Sequence, residues 1–252
     1  MSAPVVIVTG GGGGIGRATC SQLGARGAAI LVVDRDLAAA EESARLAREA
    51  GGDAVAHEAD VSDDAQVAGY VVAAEARWGG IDAFFNNAGI EGPIAPLTDY
   101  PLADFERVFR INVTGVFLGL KHVIPALKRR GGGSIVNTAS QAGIRGVGGL
   151  SGYCSSKHAV VGLSRAAALE TAAEGIRVNT ICPGPVATRM MAAIHTAVLD
   201  AGGDPESFVT RIPVGRYGEA SEIATTAVFL LLDAPAFLTG AEIPVDGAMT
   251  TP

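Results

Sequence analysis

The fold of this chain is decided by a stretch near its N-terminus: Val5-Val6-Ile7-Val8-Thr9, five consecutive glycines from Gly10 to Gly14, and then Ile15-Gly16-Arg17. The β-branched run predicts a buried strand, and the apolar spacing that follows predicts a helix. A glycine turn between a strand and a helix lets the backbone approach a pyrophosphate at the helix N-terminus, where free amides and the helix dipole favour anions. The stretch therefore predicts a nucleotide-binding unit, and its plainer interpretation is a flexible glycine loop.

The glycine run is degenerate, so the sequence leaves the register of this turn open. It fits two patterns, G-x-x-x-G-x-G through Gly10, Gly14 and Gly16, and G-x-G-x-x-G through Gly11, Gly13 and Gly16. A phosphate-binding P-loop is disfavoured, because Arg17-Ala18 stands after the last glycine where that loop needs Lys followed by Ser or Thr.

Outward from this unit, short apolar runs alternate with longer alanine-rich stretches along the chain. The runs predict seven strands, at Val5–Val8, Ile30–Val33, Ala54–His57, Ile81–Phe85, Ser134–Asn137, Arg177–Ile181 and Glu242–Val245. The stretches predict helices near Ile15–Arg26, Leu37–Ala50, Asp64–Trp78, Leu102–Arg130, Tyr153–Ala173 and Glu219–Leu232. Strands that are apolar on both faces and alternate with helices indicate a parallel sheet covered on both sides. We therefore expect an α/β fold with a Rossmann-type, doubly wound sheet of about seven parallel strands, helices on both faces, and ligands bound beyond the carboxyl ends of the strands.

The pattern indicates a single domain over residues 1–252, because no linker interrupts it. One irregular insertion, from about Pro183 to Gly218, follows the sixth strand. Long connections in compact domains often cover a site, so we expect this segment to be a substrate lid.

Composition argues against several classes of function. The formal net charge of -7 opposes binding to nucleic acids and anionic membranes. No apolar run reaches the ~18 residues that a membrane span needs, and the N-terminus lacks the pattern of a secretory signal. The three cysteines are scattered, and the four histidines have no metal-ligand spacing. We expect a cytoplasmic protein without a metal ion and without a nucleic-acid or membrane partner.

Asp34 ends the second predicted strand, about 20 residues past the glycines, where an acidic side chain can accept hydrogen bonds from an adenosine ribose. Its charge would repel the 2′-phosphate of NADP, so the position favours NAD. Arg35 follows and could meet a phosphate, but Asp34 should prevail. The alternative is an ordinary strand-end or helix-capping aspartate.

Tyr153 and Lys157 are four residues apart at the start of a predicted helix, so their side chains share one face. A free phenol has a pKa near ~10, and a neighbouring ammonium lowers it toward the range of a useful base. Ser140 comes just after the fifth predicted strand, where its hydroxyl could hold a substrate oxygen near the phenol. Tyr-x-x-x-Lys is also common on helix surfaces, so this spacing alone is weak evidence.

Several further motifs stand in order along the chain, and with them it resembles the short-chain dehydrogenase/reductase family from end to end. The matching segments are Thr9 to Gly16, Asp60-Val61, Asn86-Asn87-Ala88-Gly89, Asn112, Asn137-Thr138-Ala139-Ser140, Tyr153-Cys154-Ser155-Ser156-Lys157 and Pro183-Gly184-Pro185-Val186-Ala187-Thr188. The resemblance implies a catalytic tetrad of Asn112, Ser140, Tyr153 and Lys157, with Asn112 holding a water that links Lys157 to solvent. The expected cofactor contacts are Gly10, Gly14, Ile15, Gly16, Asp34, Asp60, Val61, Asn87, Ala88, Gly89, Tyr153, Lys157, Pro183, Gly184, Val186 and Thr188.

The resemblance implies an NAD-dependent oxidoreductase that moves a hydride between nicotinamide and a ketone or secondary alcohol, with Tyr153 as the proton-transfer group. The segments Leu150–His158 and Arg216-Tyr217-Gly218-Glu219 resemble bacterial members that act on cyclic ketones and alcohols. A small, fairly apolar substrate is expected to contact Ile144, Val147, Leu150, Met190, Met191 and Ile194, unless these residues merely pack the lid onto the domain.

Two other functions stay open. One is reduction of carrier-bound 3-oxoacyl chains, and the other is a non-catalytic nucleotide sensor with the same fold. A methyltransferase also uses a glycine turn and an acidic second strand, but it has no use for Tyr153 and Lys157.

The helix after Tyr153 is apolar around most of its circumference, and such a helix is buried on more than one side. The sheet can cover only one side, so a second subunit should cover another. The resemblance implies that these helices pair across a two-fold axis, and we expect a homotetramer.

Overall fold

A single sheet of parallel strands organises the computed structural model, which describes residues 3–200, 202, 204 and 209–251. In this part of the chain the strands are β1 (Val5–Thr9), β2 (Ala29–Asp34), β3 (Asp53–Glu58), β4 (Ala83–Asn86), β5 (Gly133–Thr138), β6 (Ile176–Pro183) and β7 (Glu242–Val245). They lie in the order β3-β2-β1-β4-β5-β6-β7. The order reverses at β1, which pairs with both β2 and β4. The predicted doubly wound sheet is confirmed, and its ligand site belongs at this reversal.

Helices cover both faces of the sheet. They are α1 (Gly14–Ala25), α2 (Leu37–Glu49), α3 (Asp64–Trp78), α4 (Leu102–Phe109), α5 (Gly115–Arg130), α6 (Ser151–Thr171), α7 (Arg189–Asp200) and α8 (Ala220–Val228). Successive strand residues point to opposite faces. Ile7 therefore lies in one apolar core with residues of α3, α5 and α6, whereas Val6 and Val8 lie in the other with residues of α1, α2 and α8.

Two helical predictions are corrected in detail. The long helix expected over 102–130 is one run of helical backbone, but a π-helical turn at Arg110–Thr114 separates α4 from α5. The insertion expected to be irregular contains α7. Positions 201, 203 and 205–208 of that segment lie outside the described residues. No helix within the described ranges is both long enough and apolar enough to cross a membrane.

Candidate active site

The structure selects one register of the glycine turn. Gly10 and Gly14 have positive φ angles of 63° and 49°, which favour glycine. A Cβ atom at Gly16 would lie 2.1 Å from the carbonyl oxygen of Gly10, so α1 can start against the turn only without a side chain there. Gly13, in contrast, is extended at φ -163° and a Cβ atom would meet nothing within 4 Å. The turn therefore follows G-x-x-x-G-x-G through Gly10, Gly14 and Gly16.

Both backbone polar groups of Gly12 are hydrogen-bonded to side chains. Its N–H donates to Asp34 Oδ2 at 2.9 Å, and its carbonyl oxygen accepts from the Arg17 guanidinium. Arg17 Nε also donates to Ser43 Oγ at 3.0 Å, which ties the turn to α2. Asp34 Oδ1 accepts from the backbone N–H of Asp36 at 3.1 Å. Asp34 is thus a fixed carboxylate in the cleft wall, and Arg17, which the sequence analysis did not single out, helps to position the turn.

The carboxyl ends of three neighbouring strands are joined by side chains. Thr9 Oγ1 accepts from the backbone N–H of Asn87 at 2.9 Å, and Asn87 Nδ2 donates to the carbonyl oxygen of Thr9 at 3.1 Å. The hydroxyl of Thr138 donates to Asn87 Oδ1 at 3.1 Å. This network places Ala88 and Gly89 in the cleft.

Ser140, Tyr153 and Lys157 meet where β5 and β6 end. Ser140 Oγ accepts from the backbone N–H of Ala142 at 3.1 Å and donates to the carbonyl oxygen of Pro183 at 3.5 Å. Ser140 and Tyr153 line the same cleft, and the Ser140 side chain acts to lower the pKa of the Tyr153 phenol. Lys157 Nζ lies 5.6 Å from the centroid of the Tyr153 ring and donates to the carbonyl oxygen of Thr138 at 2.8 Å. The predicted sharing of one helix face by Tyr153 and Lys157 therefore brings both side chains into one site.

Burial dominates the titration of both groups in the protein alone. It raises the pKa of Tyr153 to about 12, and the negative charge of Glu91 acts in the same direction, against the effect of the Ser140 side chain. It lowers the pKa of Lys157 to about 8. The expected lowering of the pKa of Tyr153 is thus not found in the protein alone, because desolvation of the phenolate outweighs the opposing effect of Ser140.

Asn112 lies in the π-helical turn and is fully buried. Its Oδ1 accepts from the N–H of Ile90 at 2.8 Å, and its Nδ2 donates to the carbonyl oxygen of Ile90 at 2.9 Å and to Ser156 Oγ at 3.0 Å. Asn112 therefore joins the loop after β4 to α6, beside Lys157. Its role in a water relay stays a prediction.

A cleft of about 1100 Å³ runs along this edge of the sheet. Every predicted cofactor contact lines it except Gly16, which packs against the turn instead. Of the predicted substrate contacts, the ones that line the cleft are Val147, Leu150, Met190, Met191 and Ile194. Ile144 does not line the cleft, because its side chain packs against the core on the α6 side of the sheet.

Residues without a motif also line the substrate end of the cleft. Glu91, Gln141 and Arg145 are among them. Gln141 and Arg145 stand close to Ser140 in the chain, but no local spacing shows which side chain turns toward the cleft and which toward the core. The only available signal was their nearness to Ser140.

Comparison with known proteins gives consistent matches over nearly the whole chain. A family model described as enoyl-(acyl carrier protein) reductase matches residues 11–250. Levodione reductase of Leifsonia aquatica is 44% identical, over 98% of this chain and 94% of the relative. The 2,5-dichloro-2,5-cyclohexadiene-1,4-diol dehydrogenase of Sphingobium indicum is 42% identical, over 99% and 98%. The cis-4-hydroxycyclohexanecarboxylate dehydrogenase of Sinomonas cyclohexanicum is 38% identical, over 98% and 96%.

Solved structures agree with this chain in fold as well as in sequence. The crystal structure of levodione reductase superposes with a TM-score of 0.93 at 44% identity, covering 97% of this chain and 96% of that one. The structure of NAD+-bound xylitol dehydrogenase superposes with a TM-score of 0.92 at 39% identity, covering 97% and 98%. The glycine turn, the strand order and the cleft described above are thus set in a backbone that this chain shares with known oxidoreductases.

Proposed function

The chain belongs to the short-chain dehydrogenase/reductase family, and we propose that within it the protein is an NAD-dependent enzyme that interconverts a fairly apolar, cyclic ketone and its secondary alcohol. The observation that carries this proposal is the convergence of Ser140, Tyr153 and Lys157 in the cleft that also holds the glycine turn and Asp34. The family is one of oxidoreductases acting on CH–OH groups, and these side chains supply what that reaction needs from the protein.

The cleft fits a nicotinamide dinucleotide. Gly10 and Gly12 both line the cleft, and a side chain at either position would lie within 3 Å of neighbouring protein atoms, so packing favours glycine there. Asp34 would accept hydrogen bonds from the adenosine ribose, and its charge opposes a 2′-phosphate. Arg17 and Arg35 line the same region, yet Arg17 is engaged by Gly12 and Ser43. NAD is therefore the cofactor that we propose.

The residues of the cleft divide the chemistry between them. A bound nicotinamide would accept or supply the hydride and, when oxidised, place a positive charge beside the phenol. Tyr153 removes the hydroxyl proton during oxidation and returns it during reduction. Ser140 orients the substrate oxygen and stabilises its developing charge. Lys157 would favour the phenolate and hold the nicotinamide ribose, and Asn112 would help to position a water through which the proton leaves.

The proposed lid runs from about residue 183 to 218. Its two ends are tied together, because Gly218 accepts from the N–H of Ala187 at 2.9 Å and donates to Pro185 at 3.0 Å. Between them, Met190, Met191 and Ile194 of α7 line the cleft, as do Val147 and Leu150. Such a lining suits a cyclic hydrocarbon skeleton better than a polyol. The three named relatives are consistent with it, since their names describe a dione, a ring diol and a hydroxy ring carboxylate.

A spectrophotometric screen of NADH consumption tests the proposal. We expect cyclohexanone and substituted cyclohexanones to give a higher kcat/KM than xylulose or a 3-oxoacyl thioester. The Tyr153→Phe variant should still bind NADH but lose turnover, because only the proton-transfer group is removed. Preference for the sugar or for the thioester would contradict the substrate class, and a Tyr153→Phe variant that keeps turnover would contradict the chemistry. Absence of turnover with every substrate in the wild type would favour the nucleotide-sensing alternative.

A further inference from the structure

Arg145 lines the cleft and is hydrogen-bonded to two residues, Gln141 and Cys154. Each of them directly follows one of the residues that carry the proposed catalytic hydroxyls. The side-chain Nε of Arg145 donates to Gln141 Oε1, and Gln141 directly follows Ser140. Its carbonyl oxygen accepts from Cys154 Sγ at 3.4 Å, and Cys154 directly follows Tyr153. Gln141 is itself buried. The guanidinium is therefore anchored relative to Ser140 and Tyr153 rather than free to move in solvent.

Arg145 forms no ion pair with any residue that the structure describes. Eight arginines of the described chain form ion pairs, among them Arg107, which also lines the cleft and is paired with Asp104 at 2.7 Å. Arg17, Arg35 and Arg189 line the cleft without an ion pair to a described residue, but only Arg145 is hydrogen-bonded to the residue that follows Ser140. Among the described residues, no carboxylate oxygen comes within 4 Å of Arg145, and its one side-chain hydrogen bond is to Gln141. Its two terminal nitrogens thus keep donors for a group from outside the chain.

A purely hydrocarbon ring placed against Arg145 would remove water from a half-buried cation and offer nothing in return, which costs free energy. An oxygen acceptor on the ring would restore the lost hydrogen bonds. We propose that Arg145 determines specificity by binding a second oxygen of the substrate, on the part of the ring remote from the reacting carbon. This inference rests on the proposed function and names its substrate class: cyclic ketones and alcohols that carry a second acceptor oxygen, either neutral or as a carboxylate.

Three substrates that share the cyclohexanone ring test the inference: cyclohexanone, cyclohexane-1,4-dione and 4-oxocyclohexanecarboxylate. In Arg145→Met, we expect KM for the dione or the carboxylate, or for both, to rise about 10- to 100-fold, as for the loss of a hydrogen bond to a charged group. The KM for cyclohexanone should stay the same or fall, because the cost of desolvating the cation is removed, and the kcat values should hardly change. A rise with the carboxylate alone identifies an anionic acceptor, and a rise with both identifies acceptor oxygens in general. An equal loss on all three substrates, or no loss on any, would overturn the inference.

Two further variants separate recognition from a structural role. Gln141→Leu removes the anchor but keeps the guanidinium, so it should raise the same KM values by a smaller factor. Arg129→Met removes an exposed arginine that pairs with Glu75, and it should leave all three substrates unaffected. NADH affinity and Tm report whether each variant is folded, and Gln141→Leu remains informative if Arg145→Met is not.

The same variants also distinguish this inference from the proposed function. Calorimetric binding of the three compounds to the enzyme saturated with NAD gives a readout that needs no turnover. If cyclohexanone is turned over but Arg145 does not discriminate by the second oxygen, only the present inference is overturned. If no cyclic ketone is turned over, the proposed function fails, while Arg145-dependent binding of the carboxylate in calorimetry would still support the assignment of Arg145, and its absence would overturn it.

Discussion

At Gly16 the chain has no room for even a methyl group, whereas three residues earlier it has room for a side chain. A Cβ atom at Gly16 would lie against the carbonyl oxygen of Gly10. Gly10 is part of the same turn, so this oxygen cannot move away without changing the conformation of the turn. Gly13 is extended and open. Identical residues within one glycine run therefore carry different constraints, which are set by what surrounds each Cβ position.

Alanine substitutions at these two glycines should separate the constraints. We expect Gly16→Ala to lower the free energy of unfolding by about 1–3 kcal/mol, as overpacking does, and to weaken NADH binding. Gly13→Ala should leave stability unchanged or raise it slightly, because it restricts the unfolded chain without straining the fold. Urea unfolding of the two variants measures the difference, and equal losses would contradict the register assigned to the turn.

Asp34 is the residue that should set the choice of cofactor. Losing its charge-assisted hydrogen bonds to the ribose should cost about 1.5–3 kcal/mol, roughly 10- to 150-fold in affinity. We expect the wild type to prefer NAD, and Asp34→Ser to narrow the preference by weakening NAD and admitting NADP. The measurement is kcat/KM for both cofactors with one ketone. A wild-type preference for NADP would overturn the role of Asp34.

Lys157 should make cofactor binding depend on pH. Burial lowers the pKa of Lys157 to about 8, so the folded protein loses this ammonium as the pH rises through that value. We expect NADH affinity, measured by fluorescence titration, to be highest below pH 8 and to fall above it. Lys157→Ala should show weaker binding with no such step, together with slower turnover. Unchanged affinity in this variant would exclude the proposed ribose contact.

At the scale of elements, the π-helical turn at Arg110–Thr114 joins α4 to α5. It also places the polar side chain of Asn112 between the loop after β4 and α6. The side-chain amide of Asn112 forms hydrogen bonds with the Ile90 backbone and with Ser156 Oγ. One side chain therefore connects the loop after β4, the turn and α6. π-turns inside helices often mark functional sites. The turn therefore positions α6, and with it Tyr153 and Lys157.

Removing the Asn112 amide should loosen this junction. We expect Asn112→Ala to lower the free energy of unfolding by about 1–3 kcal/mol and to slow turnover, since partly buried backbone groups of Ile90 and the buried Ser156 hydroxyl lose their partner. Asn87→Ala, which removes partners of Thr9 and Thr138 instead, is a useful comparison within the same edge of the sheet. Full stability and rate in Asn112→Ala would show that the junction is held by other contacts.

At the scale of the whole molecule, α6 presents apolar residues to both its own core and the outside. Val160, Val161 and Ala167 are buried, while Leu169 is 85% exposed and Ala166 is also exposed. On the adjacent α5, Phe117 is 48% exposed. Apolar groups on two neighbouring helices that the chain itself leaves uncovered support the predicted contact with a second subunit.

Light scattering tests the assembly. We expect a mass of four chains for the wild type at micromolar concentration, and a smaller assembly for Leu169→Glu, because the new charge would be buried at the contact. Leu199→Glu places the same charge on an exposed leucine of α7 and serves as the control. A wild-type monomer would contradict the prediction, as would an unchanged mass in Leu169→Glu.

The sequence by itself determined the doubly wound fold class and the position of the glycine turn. It also determined that Asp34 ends the second strand and that Tyr153 and Lys157 share a helix face. These features depend on local periodicity and on short spacings in the chain. Tertiary structure decided which glycines are obligatory, that Ile144 enters the core while Arg145 enters the cleft, and that burial raises the pKa of Tyr153. Such outcomes depend on contacts between residues that are distant in the chain. The contacts of Asn112 with Ile90 and of Lys157 with Thr138 are further examples. Local pattern specifies which groups are present at the sheet edge, but desolvation and steric contact depend on neighbours that only folding brings there.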